Sequence, residues 1–161
     1  MDEKITDREL REISQISLAD PHLSFRPLSL LKQSAEKGHL LTIRRRRALM
    51  GWMECFPLLR DYWSVSSLYI RPSYRGKRIG INLLLHALRS VENKYVYAAT
   101  ANPRLKRELL GRGFRRVSLR EIPIPVLFSL VIKRYSDPRT WNKLLGKTFQ
   151  SLQHFWRMPQ K

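Results

Sequence analysis

Residues 63–90 constrain this chain more than any other stretch. WSVSSLYI, Trp63 to Ile70, is β-branched and aromatic as a strand requires, and Arg71-Pro72 ends it. A basic segment follows, Ser73-Tyr74-Arg75-Gly76-Lys77-Arg78-Ile79-Gly80. Then comes INLLLHALRSV, in which Ile81, Leu84, Leu85 and Leu88 recur on one helical face. A loop entering a helix leaves the first backbone N–H groups unpaired, at the positive end of the helix dipole. Gly76 and Gly80 let that backbone approach a ligand closely, and Arg75, Lys77 and Arg78 add three charges. Such a turn is suited to a pyrophosphate. It is not a P-loop, because no Gly-Lys-Ser/Thr closes it, and the dinucleotide fingerprint G-x-G-x-x-G is absent.

The flanking periodicities place this unit in a single mixed α/β domain, a size that 161 residues allow. Thr6 or Asp7 can cap a first helix carrying Leu10, Ile13 and Ile16, which Asp20-Pro21 ends. A second helix is expected after Pro27, stopping at Gly38. HLLTIRRR and ALMGWMECF read as two strands joined through Arg44 to Arg47, a basic hairpin tip that is either a solvated turn or a contact surface. After the loop and its helix come a strand, YVYAAT, and a helix opened by Asn102-Pro103 and closed before Gly113-Phe114. The strands FRRVSL and VLFSLVI are expected next. From Pro138 the tail repeats at helical spacing through Trp141, Leu144, Leu145, Phe149, Leu152 and Phe155. The expected division is residues 1–135 as the domain and 136–161 as a C-terminal basic amphipathic helix.

Composition removes several functions. The lone Cys55 rules out an intramolecular disulfide framework and a cysteine-based zinc site. His22, His39, His86 and His154 are scattered, with no two at metal-ligand spacing. The apolar run Ile122 to Ile132 is too short for a membrane span and contains Pro123 and Pro125. The acidic start, MDEKITDREL, is unlike a secretory or transit signal, so a soluble cytoplasmic protein is expected. The net charge is +18, yet the first forty residues carry six basic and seven acidic groups. The excess therefore begins after residue 40, which points to an anionic partner rather than an even solubilising coat.

SSLYIRPSYRGKRIGINLLL resembles the acetyl-CoA-binding motif of the GNAT superfamily of N-acetyltransferases, R/Q-x-x-G-x-G/A after a strand and an apolar-x-Pro turn. TANPRLKRELLGRGF is similar to that family's second motif, an Asn after a strand, a short helix and Gly-Phe. Together the two span Leu68 to Phe114. The resemblance implies a central mixed sheet flanked by helices, with the family's fourth and fifth strands splayed, although no counterpart of its first strand is evident. It implies acetyl-CoA as acyl donor and direct transfer to a primary amine in a ternary complex. It implies that the backbone of Leu68, Tyr69 and Ile70 pairs with the pantetheine arm. Arg75, Gly76, Lys77, Arg78, Ile79 and Gly80 then match the pyrophosphate loop, and Asn102 the side chain aimed at the cofactor arm. One departure matters, because Arg78 stands where the pattern has its first glycine. If that position keeps a glycine's backbone geometry, Arg78 adds a charge-assisted phosphate contact. If it does not, cofactor affinity suffers.

Such transfer needs an amine deprotonated beside the thioester, an oxyanion donor and a proton for the leaving thiolate, and positioning supplies much of the rate. The family's usual base and acid positions are poorly matched, being Ser64 and Leu109 here; a third common base position holds Tyr97. Between Lys37 and Val91 the only carboxylates are Glu54 and Asp61. Glu54 alternates with Trp52 and Phe56 on one strand face, so it either pairs with a strand arginine or serves as base or amine-recognition group. Tyr97 is the candidate acid. Cys55 faces away from Glu54 and reads as a small buried hydrophobe.

The acceptor is not named by these motifs. The charge disfavours polyamines and histone tails, and favours an anionic partner: a tRNA-linked acceptor, an acidic carrier protein or an anionic membrane surface. The tail's apolar stripe is expected to pack on the sheet, on a second copy in a homodimer or on that surface. Two alternatives to the enzyme stand beside it: a GNAT-fold CoA-binding module without turnover, and a basic RNA- or membrane-surface-binding protein.

Overall fold

The architecture follows from a few local signals, seen in a computed structural model that describes residues 5–135, 137–139 and 152–159. Thr6 starts helix α1 (Asp7–Ala19) through a capping box. Glu9 N–H donates to Thr6 Oγ1 at 3.3 Å and Thr6 N–H donates to Glu9 Oε2 at 2.8 Å. Helix α2 (Leu28–Glu36) begins directly after Pro27. Strands β1 (Leu40–Arg45), β2 (Ala48–Leu59) and β3 (Tyr62–Ile70) form an antiparallel meander. Helix α3 (Ile79–Ser90) then carries the chain to β4 (Tyr95–Thr100), which runs parallel to β3. Helix α4 (Pro103–Leu110), β5 (Arg115–Val117), α5 (Ile124–Tyr135) and β6 (Gln153–Arg157) complete the order. The six strands lie as β1-β2-β3-β4-β6-β5, the mixed sheet expected from the sequence.

Alternation along β2 divides the interior. Met53 and Cys55 face α3 and α4, in a core with Val65, Leu84, Ala87 and Phe155. Trp52 and Phe56 face the other way, Trp52 under α1 and α2 with Ile13 and Leu31, and Phe56 under α5 with Val126 and Leu130. Glu54 lies between them on that second face and is fully buried.

Two expectations are corrected. VLFSLVI, expected as a strand, lies in helix α5. Ile122, Val126 and Leu130 are buried at helical spacing, but Ile124, Phe128 and Ile132 on the outer face are also apolar, which hides the period. Gln153–Arg157, expected in the C-terminal helix, form β6 instead, and residues 136, 140–151, 160 and 161 of that expectation lie outside the described residues. Phe155 and Trp156 are adjacent and both buried, so two opposite faces are covered there, as in an inner strand and not in a surface helix. β6 sits between β4 and β5, so Gln153–Arg157 complete the sheet of the domain before them.

Candidate active site

The site begins with one residue in an unusual backbone conformation. Trp52 pairs with Tyr69 and Glu54 with Ser66, so Met53 faces two residues of β3, Ser67 and Leu68. Ser67 takes up the surplus at φ +56°, forming a β-bulge, and a bulge bends its strand and increases the local twist. Pairing of β3 with β4 accordingly runs from Tyr62/Tyr95 to Val65/Ala98 and stops. Beyond that point the two facing edges part. Ser66, Ser67, Leu68, Ala99 and Thr100 line a cavity of about 690 Å³ between them. Strand edges without a neighbour present N–H and C=O groups that a peptide-like arm can pair with.

The basic loop stands at the mouth of this opening. A short 3-10 turn (Pro72–Tyr74) leads into it, Gly76 has φ +82°, and Arg78 caps α3 at φ +57°, ψ +8°. Arg78 thus holds a left-handed geometry of the kind glycine adopts at least cost. Gly80 packs closely under β3, because a Cβ there would lie 3.2 Å from Ile70 Cγ1. The first amides of α3 have no partner within the helix, and Ile79, Gly80 and Ile81, which carry them, line the cavity. Arg75 turns back on the strand, with Nε donating to Ile70 O at 2.9 Å and its guanidinium 5.6 Å from the centre of the Tyr69 ring. Asn102 caps α4, its Oδ1 accepting from Arg104 N–H at 2.9 Å and Leu105 N–H at 3.3 Å. Leu68, Tyr69, Ile70, Arg75, Gly76, Arg78, Ile79, Gly80 and Asn102 all line the cavity, whereas Lys77 is exposed beside it.

The residues fit a coenzyme A-type ligand: an unpaired strand edge for its amide-bearing arm, and left-handed turns with helix amides for its pyrophosphate. Arg78 offers a direct check. Arg78→Gly removes a left-handed side chain that costs about 1 kcal/mol, so thermal stability should hold or rise. It also removes a charge beside the phosphates, so affinity for acetyl-CoA should fall by about tenfold or more. Thermal denaturation and calorimetry measure the two opposite signs.

The structure does not bring Glu54 or Tyr97 to the cavity wall. Glu54 is held by Arg26, from the segment between α1 and α2 and not from a strand. Arg26 Nε lies 2.7 Å from Oε2, Arg26 NH2 donates to Oε1 at 2.7 Å, and Ser34 Oγ donates to Oε1 at 3.0 Å. A carboxylate so surrounded is out of reach of an incoming amine. Tyr97 is buried beneath α5, and its hydroxyl is 2.6 Å from His154 Nδ1. Ser64 and Leu109, at the family's base and acid positions, are buried as well. Cys55 is buried, and desolvation pushes its thiol up to about 12, so it is no nucleophile. What sequence reasoning missed is the opposite wall, where Asp20, His22, Leu23 and Ser24 of the α1–α2 segment line the cavity. The only local signal there, Asp20-Pro21, marks a helix end.

A sheet opened between two parallel strands, with an amide-rich basic loop at the opening, defines an acetyltransferase-type α/β fold. The profile of the acetyltransferase (GNAT) family matches residues 7–114, and the chain belongs to that family. A comparison with curated proteins found no match. Among solved structures it is similar to Rv2747 of Mycobacterium tuberculosis, in complex with CoA, at 13% identity and TM-score 0.72, over 98% of both chains. It is also similar to N-acetylglutamate synthase of Neisseria gonorrhoeae, complexed with coenzyme A and N-acetyl-glutamate, at 15% identity and TM-score 0.68. There the match covers 96% of this chain and 33% of the synthase. A third is yncA of Salmonella typhimurium, with its cofactor acetyl-CoA, at 15% identity and TM-score 0.57, over 72% of this chain and 79% of that one.

Proposed function

We propose that the protein transfers an acetyl group from acetyl-CoA to a primary amine, with donor and amine held together in one complex. The observation that carries this reading is the opening between β3 and β4 beside the Arg75–Gly80 loop. When bound, acetyl-CoA supplies an activated acyl group as its thioester. The chain's own residues do the positioning. The free edges of Ser66–Leu68 and Ala99–Thr100 hold the arm, and the loop amides with Arg75 and Arg78 hold the phosphates. Leu68, Ile70 and Leu84 give the cavity an apolar wall. The amine enters from the α1–α2 side, where Asp20 and His22 stand on the cavity wall and the backbone N–H of His22 donates to Asp20 Oδ1 at 2.8 Å. The buried, high-pKa Cys55 supports direct transfer over a covalent relay.

The test is calorimetric titration with acetyl-CoA and coenzyme A, followed by thiol-release assays. The amine panel should include glutamate, because one structural relative is an N-acetylglutamate synthase. Binding together with amine-dependent thiol release is expected; no binding at millimolar acetyl-CoA would overturn the reading. The burial of Ser64 and Leu109 favours one second reading, a coenzyme A-binding module without turnover. Binding with no release for any amine is the result that selects it.

A further inference from the structure

Among the described residues, four that are not glycine have φ in the left-handed region, and three of these are arginines: Arg46 (φ +47°), Arg47 (φ +67°) and Arg78. Arg46 and Arg47 form the entire two-residue turn between β1 and β2, since Arg45 pairs with Ala48. A turn with both residues at positive φ is the kind for which Asn-Gly is strongly preferred. Two arginines there keep their charge at a conformational cost that Asn-Gly would avoid, and such a departure points to function.

All three lie at one end of the sheet. Gly51 pairs with Ile70 and Arg71 N–H donates to Met50 O at 2.9 Å, so the hairpin tip stands beside the end of β3, where the Arg75–Gly80 loop begins. β4 ends at the same rim, and α4 brings exposed Arg104 and Arg107 to its other side. The acidic neighbours are taken up elsewhere: Glu9 by Arg44 at 3.0 Å, Glu12 by Arg71, and Glu108 by Arg112 at 3.6 Å. Among the described residues no carboxylate pairs with Arg45, Arg46, Arg47, Arg104 or Arg107, all of them exposed. Arg104 also lines the cavity, so the coenzyme A site leaves Arg45, Arg46, Arg47 and Arg107 without a ligand.

We propose that this rim is a docking surface for the phosphate backbone of a nucleic acid, with the Arg45–Arg47 tip as its outer contact. Phosphates need only cations, and arginine matches them with paired N–H donors. A stable interface with a folded protein has an apolar core, and stable anchoring on a bilayer adds an inserted apolar group to the cations. Of the exposed large apolar side chains among the described residues, only Leu110 shares an element with the rim cations, in the last turn of α4; Ile124, Phe128 and Ile132 belong to α5. The inference goes beyond acetyl transfer and does not depend on it.

The experiment measures binding of bulk tRNA and of duplex DNA as a function of KCl. It compares the wild-type chain with Arg45→Gln/Arg46→Asn/Arg47→Gly, whose Asn-Gly turn suits the hairpin. The variant should keep or raise the thermal midpoint and keep its acetyl-CoA affinity. Its tRNA affinity should fall by about tenfold or more near 0.1 M salt, with a salt slope shallower by roughly 0.7–0.9 per lost phosphate contact. Tighter binding of tRNA than of duplex DNA assigns RNA, and equal binding assigns the shared phosphate chemistry; either supports the proposal. It is overturned by a wild-type slope near zero or by tRNA binding unchanged in the variant. Equally tight binding to polyglutamate or to phosphatidylserine vesicles would also overturn it.

Discussion

Glu54→Gln should lower stability by about 3–5 kcal/mol, because it leaves the Arg26 charge buried without its counter-ion. Arg26 is 8% exposed and Glu54 0%, so solvent cannot replace the lost carboxylate. The pair does more than balance charge. Arg26 NH1 also donates to Lys133 O at 3.1 Å and Ser34 Oγ binds Glu54, so one cluster ties the α1–α2 segment, α2 and α5 to the middle of β2. For a chain of this size the loss corresponds to a drop in thermal midpoint on the order of 10 °C. The double replacement Arg26→Met/Glu54→Leu should recover most of it, since an apolar pair removes both charges together. Below the transition, Glu54→Gln should bind acetyl-CoA as the wild type does, because Glu54 is not on the cavity wall. A variant of undiminished thermal stability whose turnover is abolished would restore Glu54 as a catalytic base.

Gly51→Ala should damage the site from the far side of β3. A Cβ at Gly51 would lie 2.5 Å from Tyr69 O and would also meet Ile70 Cδ1. The isoleucine methyl can turn aside, but a backbone carbonyl can yield only if β2 and β3 separate. Overpacking of this kind costs about 1–3 kcal/mol. Tyr69 and Ile70 also line the cavity, so the shift reaches the ligand edge. Acetyl-CoA affinity should drop by about tenfold, the worth of one backbone hydrogen bond. Gly111→Ala is the control: its φ is −63° and an added Cβ meets nothing closer than 3.5 Å, so both readouts should stay put. Urea denaturation and calorimetric titration of the two variants, side by side, decide the matter.

The cofactor side of the site was legible because its signals are local. A strand, a Pro turn, glycines and a helix cap all act within a few residues, and Arg75 to Gly80 fold where that order predicts. Asn102 was legible for the same reason, as a helix cap before Pro103. The acceptor side was not, because Asp20, His22, Leu23 and Ser24 reach the cavity only when α1 and α2 dock on the sheet.

Sequence alone determined the β–loop–α cradle, the family and the asymmetry of charge, each carried by residue type and short spacing. Tertiary structure decided the rest. β6 joins the sheet through pairing with β4 and β5, partners far back in the chain, and that pairing overrides a helix-like period. The left-handed Ser67 follows from the register of β2 against β3, which no serine announces. Glu54 met Arg26 across 28 residues, and low-dielectric burial made that contact structural. The arginines behind the +18 charge were plain from the start; folding gathered Arg45–Arg47, Arg75, Arg78 and Arg104 at one rim, because parallel β3 and β4 end together there.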